Sequence, residues 1–526
     1  MKKHFEYIVV GAGPAGMQLG YYLQKNNEDY LILERGNSAG EAFKRYPRHG
    51  TLISINKVYT GYNDHETNLR WDWNSLLSDE DDFNFKNYSK EYFPATKDIV
   101  KYFHDYAVRY DLNITYNSTV KLITKIDGSK GAGNFIVDME GGERYYCDKL
   151  VVATGISKPW MPNVPGMELT ENYADVSINK EDFANQRVLI LGKGNSAFET
   201  ADHLVETTAL IHVASPHPVK LTWNTHFPGN LRAVNNNFLD TYQLKSQNAI
   251  LDCDVVRITK ENGVYQVDVA YTHAHGETET LEYDRIIVAT GFKLDTSIFA
   301  DNCQPKLMHN DKYPAVKSDW ESENIDDLYF GGVVSQANFF KKTTTPFIHG
   351  FRYNMRTLYH IMKDKYHNQT LPGTDLAFDS EAIANEMLAR INRSSALWQQ
   401  FGYFRDVVDV DANNNVRYYF ELPKDYVGKL YSNHAFTVSL EFGKKQNNVF
   451  EVNRQPTAAA AHESFFLHPV IRHHYSGEVI GTCHLVEDLF GEWKHAEKHV
   501  QVLQEFMARQ ITLINQMQEQ LAESES

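Results

Sequence analysis

No uninterrupted apolar run of about eighteen residues occurs in the 526-residue chain, so no segment reads as a helix able to span a bilayer. Cysteine is scarce. The four, Cys147, Cys253, Cys303 and Cys483, form no C-x-x-C pair, which excludes a vicinal-dithiol redox centre and any disulfide framework. A concentrated basic face is missing too. The net charge is −16, the wrong sign for a phosphate-backbone footprint, so no nucleic-acid partner is expected. Nor does an apolar leader with a small-residue cleavage site precede the first strand-like run, which begins within a few residues of Met1; a cytoplasmic location is the expectation. What is present is length for two or three domains and an aromatic-rich composition, with 31 Tyr and 29 Phe, ample for large cores.

The first informative pattern spans residues 5 to 34. The strand-like Tyr7-Ile8-Val9-Val10 meets Gly11-Ala12-Gly13-Pro14-Ala15-Gly16, a helical stretch follows from Met17 to Lys25, and a second strand, Tyr30 to Leu33, ends at Glu34. Gly11 permits the tight turn, Gly13 removes a side chain from the path of a pyrophosphate, and Gly16 lets helix and strand pack closely. The helix N-terminus offers free N–H groups to phosphate. Glu34 is placed to accept from an adenosine ribose. Pro14 and the N-terminal position suit FAD. A chance glycine turn is the plain alternative, and the strand, helix and acid at the right spacing weigh against it.

A second unit begins at Arg187. Val188 to Leu191 meet Gly192-Lys193-Gly194-Asn195-Ser196-Ala197, then a helical stretch from Phe198 to Val205 and a strand from Ala209 to Ala214, ending at Ser215. Ser215 stands where the first unit has Glu34. A carboxylate there repels a 2′-phosphate and a serine can donate to one, so with His217 and Lys220 the position points to NADP, with NAD as the alternative. Two related segments, Asp148 to Gly155 and Asp284 to Gly291, each end in Ala-Thr-Gly. Small residues there suit a chain passing close to cofactor, which makes Thr154, Gly155 and Gly291 candidate contacts. The pair predicts an inserted domain: 1–157 and 285–370 for FAD, 158–284 for the nicotinamide nucleotide, and 371–526 as a C-terminal α+β extension.

Two glycine loops and two Ala-Thr-Gly segments in this order resemble the two-dinucleotide-domain flavoproteins, and among them the flavin-containing monooxygenases. Longer runs, including Arg45 to His49, Leu52 to Lys57, Leu231 to Asn236, Leu239 to Ser246, Phe347 to Tyr353, Phe466 to Val470 and His484 to Trp493, resemble the subgroup formed by the endoplasmic-reticulum flavoprotein associated with degradation and its bacterial relatives. The resemblance implies an α/β fold with two Rossmann-like domains, the nicotinamide domain inserted in the FAD domain. It implies FAD reduced by NADPH, then reaction with O2 to a C4a-hydroperoxide that oxygenates a soft nitrogen or sulfur centre of a small metabolite. Asn56 would lie beside flavin and nicotinamide, Phe347, Ile348 and His349 near the isoalloxazine with His349 as the second candidate catalytic residue, and Gly332 at the end of the last FAD-contacting strand. Arg35, Arg45, Val120, Asn195, Ser196 and Glu199 complete the candidate cofactor contacts. A tract F-x-G-x-x-x-H-x-x-x-W is missing, and Tyr173 to Phe183 contains no histidine, which argues against Baeyer–Villiger chemistry.

Alternatives stay open at this level. A reductase passing electrons to a partner protein or small acceptor would use the same two loops, and a protein keeping FAD for structure alone is a third reading. Arg45, Arg48 and His49 read equally as an anion site or a surface loop, and Phe347 to His349 as packing. In the last third, Ser380 to Ala396 reads as a helix capped by Asp379 or Ser380, Arg417 to Leu422 and Phe436 to Phe442 as strands, and Lys494 to Ala522 as a helix able to cap the fold or pair with a second copy. His468, His473, His474 and His484 fit no common zinc spacing, so no metal is expected.

Overall fold

The computed structural model describes residues 3–126, 133–244, 247–444 and 449–525; Lys245 and Ser246, the end of one matched run, lie outside them. Three sheets organise the chain. The first carries, in order, Ile114–Thr115, Tyr30–Leu33, His4–Val10, Arg144–Val152, Phe135–Met139 and Val120–Lys125. Leu328–Phe330 pairs in parallel with the end of Arg144–Val152. The central strands run parallel, and Ile8, Val9, Leu150, Val151 and Val152 are buried. Burial on both faces is why these segments read as unbroken apolar runs and not as alternating ones.

The second sheet repeats the theme. Its order is Thr278–Tyr283, Val264–Tyr271, Ala249–Glu261, Leu210–Ser215, Arg187–Leu191, Arg285–Val288, Glu171–Asn172. The strand Arg285–Val288 pairs in parallel with Arg187–Leu191, so it belongs to this sheet and not to the first, where the sequence reading placed residue 285 onward. The first Ala-Thr-Gly segment leads into Lys158–Pro159 and the second into Phe292–Lys293. These two short strands pair antiparallel, so the chain leaves and returns side by side.

The C-terminal sheet is antiparallel throughout, in the order Gly373–Leu376, Val416–Pro423, Phe404–Val410, His434–Glu441, His468–Tyr475, Glu478–His484. The expected helix at 380–396 is two: Ser380–Arg393, capped by Asp379 accepting from the Ala382 N–H, and Ser395–Gln399, capped by Ser394 accepting from the Leu397 N–H. A second N-cap inside the run ends one helix and starts the next. The final helix, Gln501–Glu525, follows a π-helical turn at Ala496–Val500 and buries Leu503, Phe506, Met507 and Ile514. One apolar cluster runs from Tyr7, Met17 and Phe103 through Met355 and Leu358 to Phe436 and Met507, so the C-terminal elements share a core with the first sheet's helices. Among the described residues no helix is long and apolar enough to cross a membrane.

Candidate active site

Both glycine loops are built alike. Gly11 has φ +106° and Gly192 φ +122°, the region that L side chains avoid. A Cβ on Gly11 would lie 2.7 Å from the carbonyl oxygen of Ala153, and one on Gly192 would run into that of Ala289. Each Ala-Thr-Gly segment is thus the floor beneath its own glycine loop, and Gly155 (φ +67°) and Gly291 (φ +91°) turn the chain away from it. A Cβ on Gly16 would collide with the Gly11 carbonyl, whereas Gly13 and Gly194 face open space for 4 Å. They are also the N-cap residues of helices Pro14–Lys25 and Asn195–Leu204, and neither helix has a side-chain cap. Two uncapped helix N-termini, each with unobstructed room above a glycine, fit the pyrophosphates of two dinucleotides.

The strand-end residues differ. Glu34 is 7% exposed and accepts from the backbone N–H groups of Ala12 (2.7 Å) and Gly36 (2.8 Å), tying its own loop together. Arg35 follows it as an exposed residue, and Val120 starts the strand at the far edge of the same sheet. Ser215 donates to the His217 carbonyl at 3.0 Å. Lys193, inside the second loop, is ion-paired with Asp252 and donates to the carbonyl oxygens of His217 and Ser215.

A loop joins the two halves of the site. The Asn195 amide donates to the carbonyl of Asn230 (2.8 Å) and accepts from the N–H of Arg232 (2.9 Å), fixing residues 229–232 at the second helix N-terminus. Gly229 of that loop has no room for a side chain between Phe227 and Phe347. Phe347 is the N-cap of helix Ile348–His367. The turn ahead of that helix approaches the first glycine loop: a Cβ on Gly332 (φ +76°) would lie 2.8 Å from that of Ala15. The second loop, the bridging segment and the helix behind the first loop therefore form one continuous structure.

Phe347, Ile348 and His349 sit together at the start of that helix. Phe347 and His349 stack with ring centroids 5.7 Å apart, and Trp73 stacks on His349 at 4.3 Å. His349 is 1% exposed, and neither ring nitrogen makes a hydrogen bond of normal geometry among the described residues. Burial, then the nearby Arg352 and Arg232, push its pKa well below the ordinary histidine value, against a weak opposing polar contact with the Trp73 backbone. The shift favours the neutral imidazole. Arg352 is occupied, donating to the carbonyl oxygens of Ser75 (2.8 Å) and Leu69 (2.9 Å).

Other expected residues are placed differently. The Asn56 amide donates to the carbonyl oxygens of Ser89 (2.8 Å) and Glu91 (3.3 Å), so its donor holds the 89–92 segment. The basic loop is a clamp: Arg45 pairs with Asp175, Arg48 donates to the carbonyl oxygens of Ala174 and Val176, and the His49 N–H donates to Glu199. Glu199 also accepts from the Tyr173 hydroxyl at 3.0 Å. Ser196 uses its carbonyl to accept from Thr200 within its helix. The C-terminal histidines form pairs, His434 with His473 at 3.1 Å and His468 with His484 at 3.0 Å. Sequence reasoning missed Trp73, Phe227 and Arg232. The matched run Leu231 to Asn236 was the only signal for the last.

A first sheet and a second, each ending in an open glycine loop under an uncapped helix, define the two-dinucleotide-binding class of α/β flavoproteins. The chain belongs to the pyridine nucleotide-disulphide oxidoreductase family, whose model matches residues 8–332, and it groups there with the FAD-dependent oxidoreductases. It is 34% identical to FAD-dependent oxidoreductase domain-containing protein 2 of Mus musculus, over 96% of this chain and 84% of that protein. Its fold is similar to bacillithiol disulfide reductase from Staphylococcus aureus (TM-score 0.53, 20% identity, 70% of this chain and 100% of that one). It is also similar to the cadaverine monooxygenase of the desferrioxamine pathway from Erwinia amylovora (TM-score 0.53, 16% identity, 70% and 95%).

Proposed function

We propose that the chain binds FAD at the first glycine loop and NADP, or NAD, at the second, and acts as a monooxygenase that uses O2 to oxygenate a soft nitrogen or sulfur centre of a small metabolite. The observation that carries this reading is the bridging segment Phe227 to Arg232, tied to the second helix N-terminus through Asn195 and packed on Phe347 behind the first loop. That link between the two loops supports a reading in which hydride passes from one bound nucleotide to the other. The flavin, when bound, supplies hydride acceptance and oxygen activation.

The chain's own residues bind, orient and exclude water. Gly13 and Gly194 leave the phosphates room, and the helix N-termini supply N–H donors. Trp73, Phe347 and Phe227 make an apolar wall, which keeps water from the reacting centre. His349, held neutral there, can give or take one hydrogen bond at either ring nitrogen. The four cysteines are buried, and burial raises all four thiol pKa values, those of Cys253 and Cys303 to about 11, so a thiolate relay through this chain has no ready nucleophile.

Rapid mixing tests the proposal. Holoenzyme reduced anaerobically by NADPH is mixed with O2, and a transient oxygenated-flavin band is expected, followed by oxygenated product when an amine or thioether is present. Rapid NADPH oxidation through an artificial acceptor, with no such band and no oxygenated product, would replace this reading with that of a reductase serving a partner protein or small acceptor.

A further inference from the structure

Most buried arginines among the described residues have acceptors within the protein. Arg352 and Arg70 donate to backbone carbonyl oxygens and Arg390 pairs with Asp406 and Glu421, whereas Arg405 has only the Glu441 carboxylate, at 3.7 Å. Arg232 is 8% exposed, yet among the described residues its guanidinium meets no carboxylate and no carbonyl oxygen within hydrogen-bond distance. Its side chain rests over the indole of Trp73, 5.0 Å from the ring centroid. With no acceptor among the described residues, the guanidinium is left to meet an anion, and an indole face compensates its charge only in part.

What surrounds the guanidinium is specific. Trp73 carries the Arg232 guanidinium over its ring and stacks with His349. Phe347 stacks on His349, and Phe227 packs on Phe347. Tyr92, 51% exposed, lies near Arg232. The cluster thus joins a fork of N–H donors to flat apolar walls and to the buried His349 imidazole. A guanidinium fork matches a carboxylate in bidentate geometry.

We propose that Arg232 receives the carboxylate of a planar or aromatic acid whose ring lies along the Trp73, His349 and Phe347 wall. This rests on the reading of the Ile348–His367 N-terminus as the flavin side of the site. It assigns the substrate class: an anionic, flat molecule carrying its nitrogen or sulfur centre away from the carboxylate. A dinucleotide phosphate is the competing occupant, and the loop geometry disfavours it. The second helix N-terminus already offers its own donors, and Asn195 ties only the Arg232 backbone there, not its guanidinium.

The probes are benzoate and benzamide, the same shape with and without the charge. Each is titrated into FAD-loaded holoenzyme by calorimetry, with the flavin absorbance followed in parallel. Benzoate is expected to bind about 10- to 100-fold more tightly than benzamide, the range for a charge-assisted hydrogen bond made to a buried partner. Arg232→Met should erase that difference. Arg232→Lys, which keeps the charge without the fork, should restore part of it, and it keeps the test alive should the Met variant fold poorly. Equal binding of the two probes, or binding of neither, overturns the proposal. So does an Arg232→Met protein that keeps the benzoate preference but binds NADPH more weakly, since the guanidinium would then serve the nucleotide. The calorimetric readout does not depend on turnover, so a holoenzyme that binds benzoate through Arg232 but yields no oxygenated product would sink the monooxygenase reading and leave this one standing.

Discussion

The two glycine loops share a backbone and differ in how they are fastened. The first is closed by its own strand-end acid, with Glu34 holding the Ala12 and Gly36 N–H groups. The second has a serine there, and its fastening comes from elsewhere: Lys193 pairs with Asp252 on the neighbouring strand, and Asn195 holds the segment that reaches Phe347. The first loop is a self-contained cradle. The second is mechanically tied to the rest of the site. The difference matches what each is proposed to hold, a resident flavin and a nucleotide that arrives, reacts and leaves.

The largest effects should come from the glycines on which both loops depend. Gly16→Ala puts a methyl into the Gly11 carbonyl, and Gly192→Ala adds a positive-φ penalty to a clash with Ala289. Each should cost about 2–4 kcal/mol by overpacking and strain, read as lowered denaturation midpoints. Next come Gly13→Ala and Gly194→Ala. Neither Cβ meets anything within 4 Å, and both N-cap residues have extended backbone, so stability should shift by less than about 1 kcal/mol. The expected outcome is a split: Gly13→Ala purifies depleted of FAD, while Gly194→Ala keeps FAD but is reduced slowly by NADPH. Both variants losing the same cofactor would break the assignment of one nucleotide to each loop.

Smaller again is Ser215→Glu, which gives the second loop the first loop's acid. A carboxylate facing a 2′-phosphate should lower kcat/KM for NADPH about 10- to 100-fold through like-charge repulsion at close range and leave that for NADH little changed. If both fall together, Ser215 does not face the adenosine ribose.

The features legible in sequence were those with a local cause. Strand, glycine turn, helix and strand follow from runs of apolar residues and from the conformations only glycine adopts, so both loops and both Ala-Thr-Gly floors could be read directly. The strands at Val416–Pro423 and His434–Glu441 showed through their β-branched and aromatic composition. What failed to show was partnership across the fold. Arg45 and Arg48 read equally as an anion site or a surface loop because only their charges are visible, whereas Asp175 and the 174 and 176 carbonyl groups that take them up lie about 130 positions away. For Asn56, the carbonyl oxygens of Ser89 and Glu91 that take up its donor hydrogens were invisible in the sequence. The strand Arg285–Val288 read as the return to the first sheet because it copies a first-sheet strand, and only its pairing with Arg187–Leu191 corrects that. Arg232 stood within the matched run Leu231 to Asn236, but a side chain lacking an acceptor is not a property of sequence, so nothing set it apart from its neighbours there.

The smallest expected effect concerns the carboxylate where the two halves meet. Glu199, on the second helix, accepts from the His49 N–H at 2.9 Å and the Tyr173 hydroxyl at 3.0 Å. Burial raises its pKa above the ordinary glutamate value, more than these two donors and Arg48 lower it. A carboxyl whose pKa is higher folded than unfolded stabilises most when protonated, and that contribution is lost as pH rises through the folded value. Glu199→Gln keeps an oxygen for His49 without the buried charge, so the variant should gain up to about 1 kcal/mol near neutrality and lose that part of the wild-type decline above pH 4.5. Glu34→Gln is the control from the other loop. Its carboxylate is satisfied by two backbone donors, and the amide can accept only one of them, so it should lose about 1 kcal/mol at pH 7. Opposite signs for the two variants would show that the first loop uses its charge to close itself, while the second carries a charge it must tolerate. Matching signs would mean that the two loops are fastened by the same physics after all.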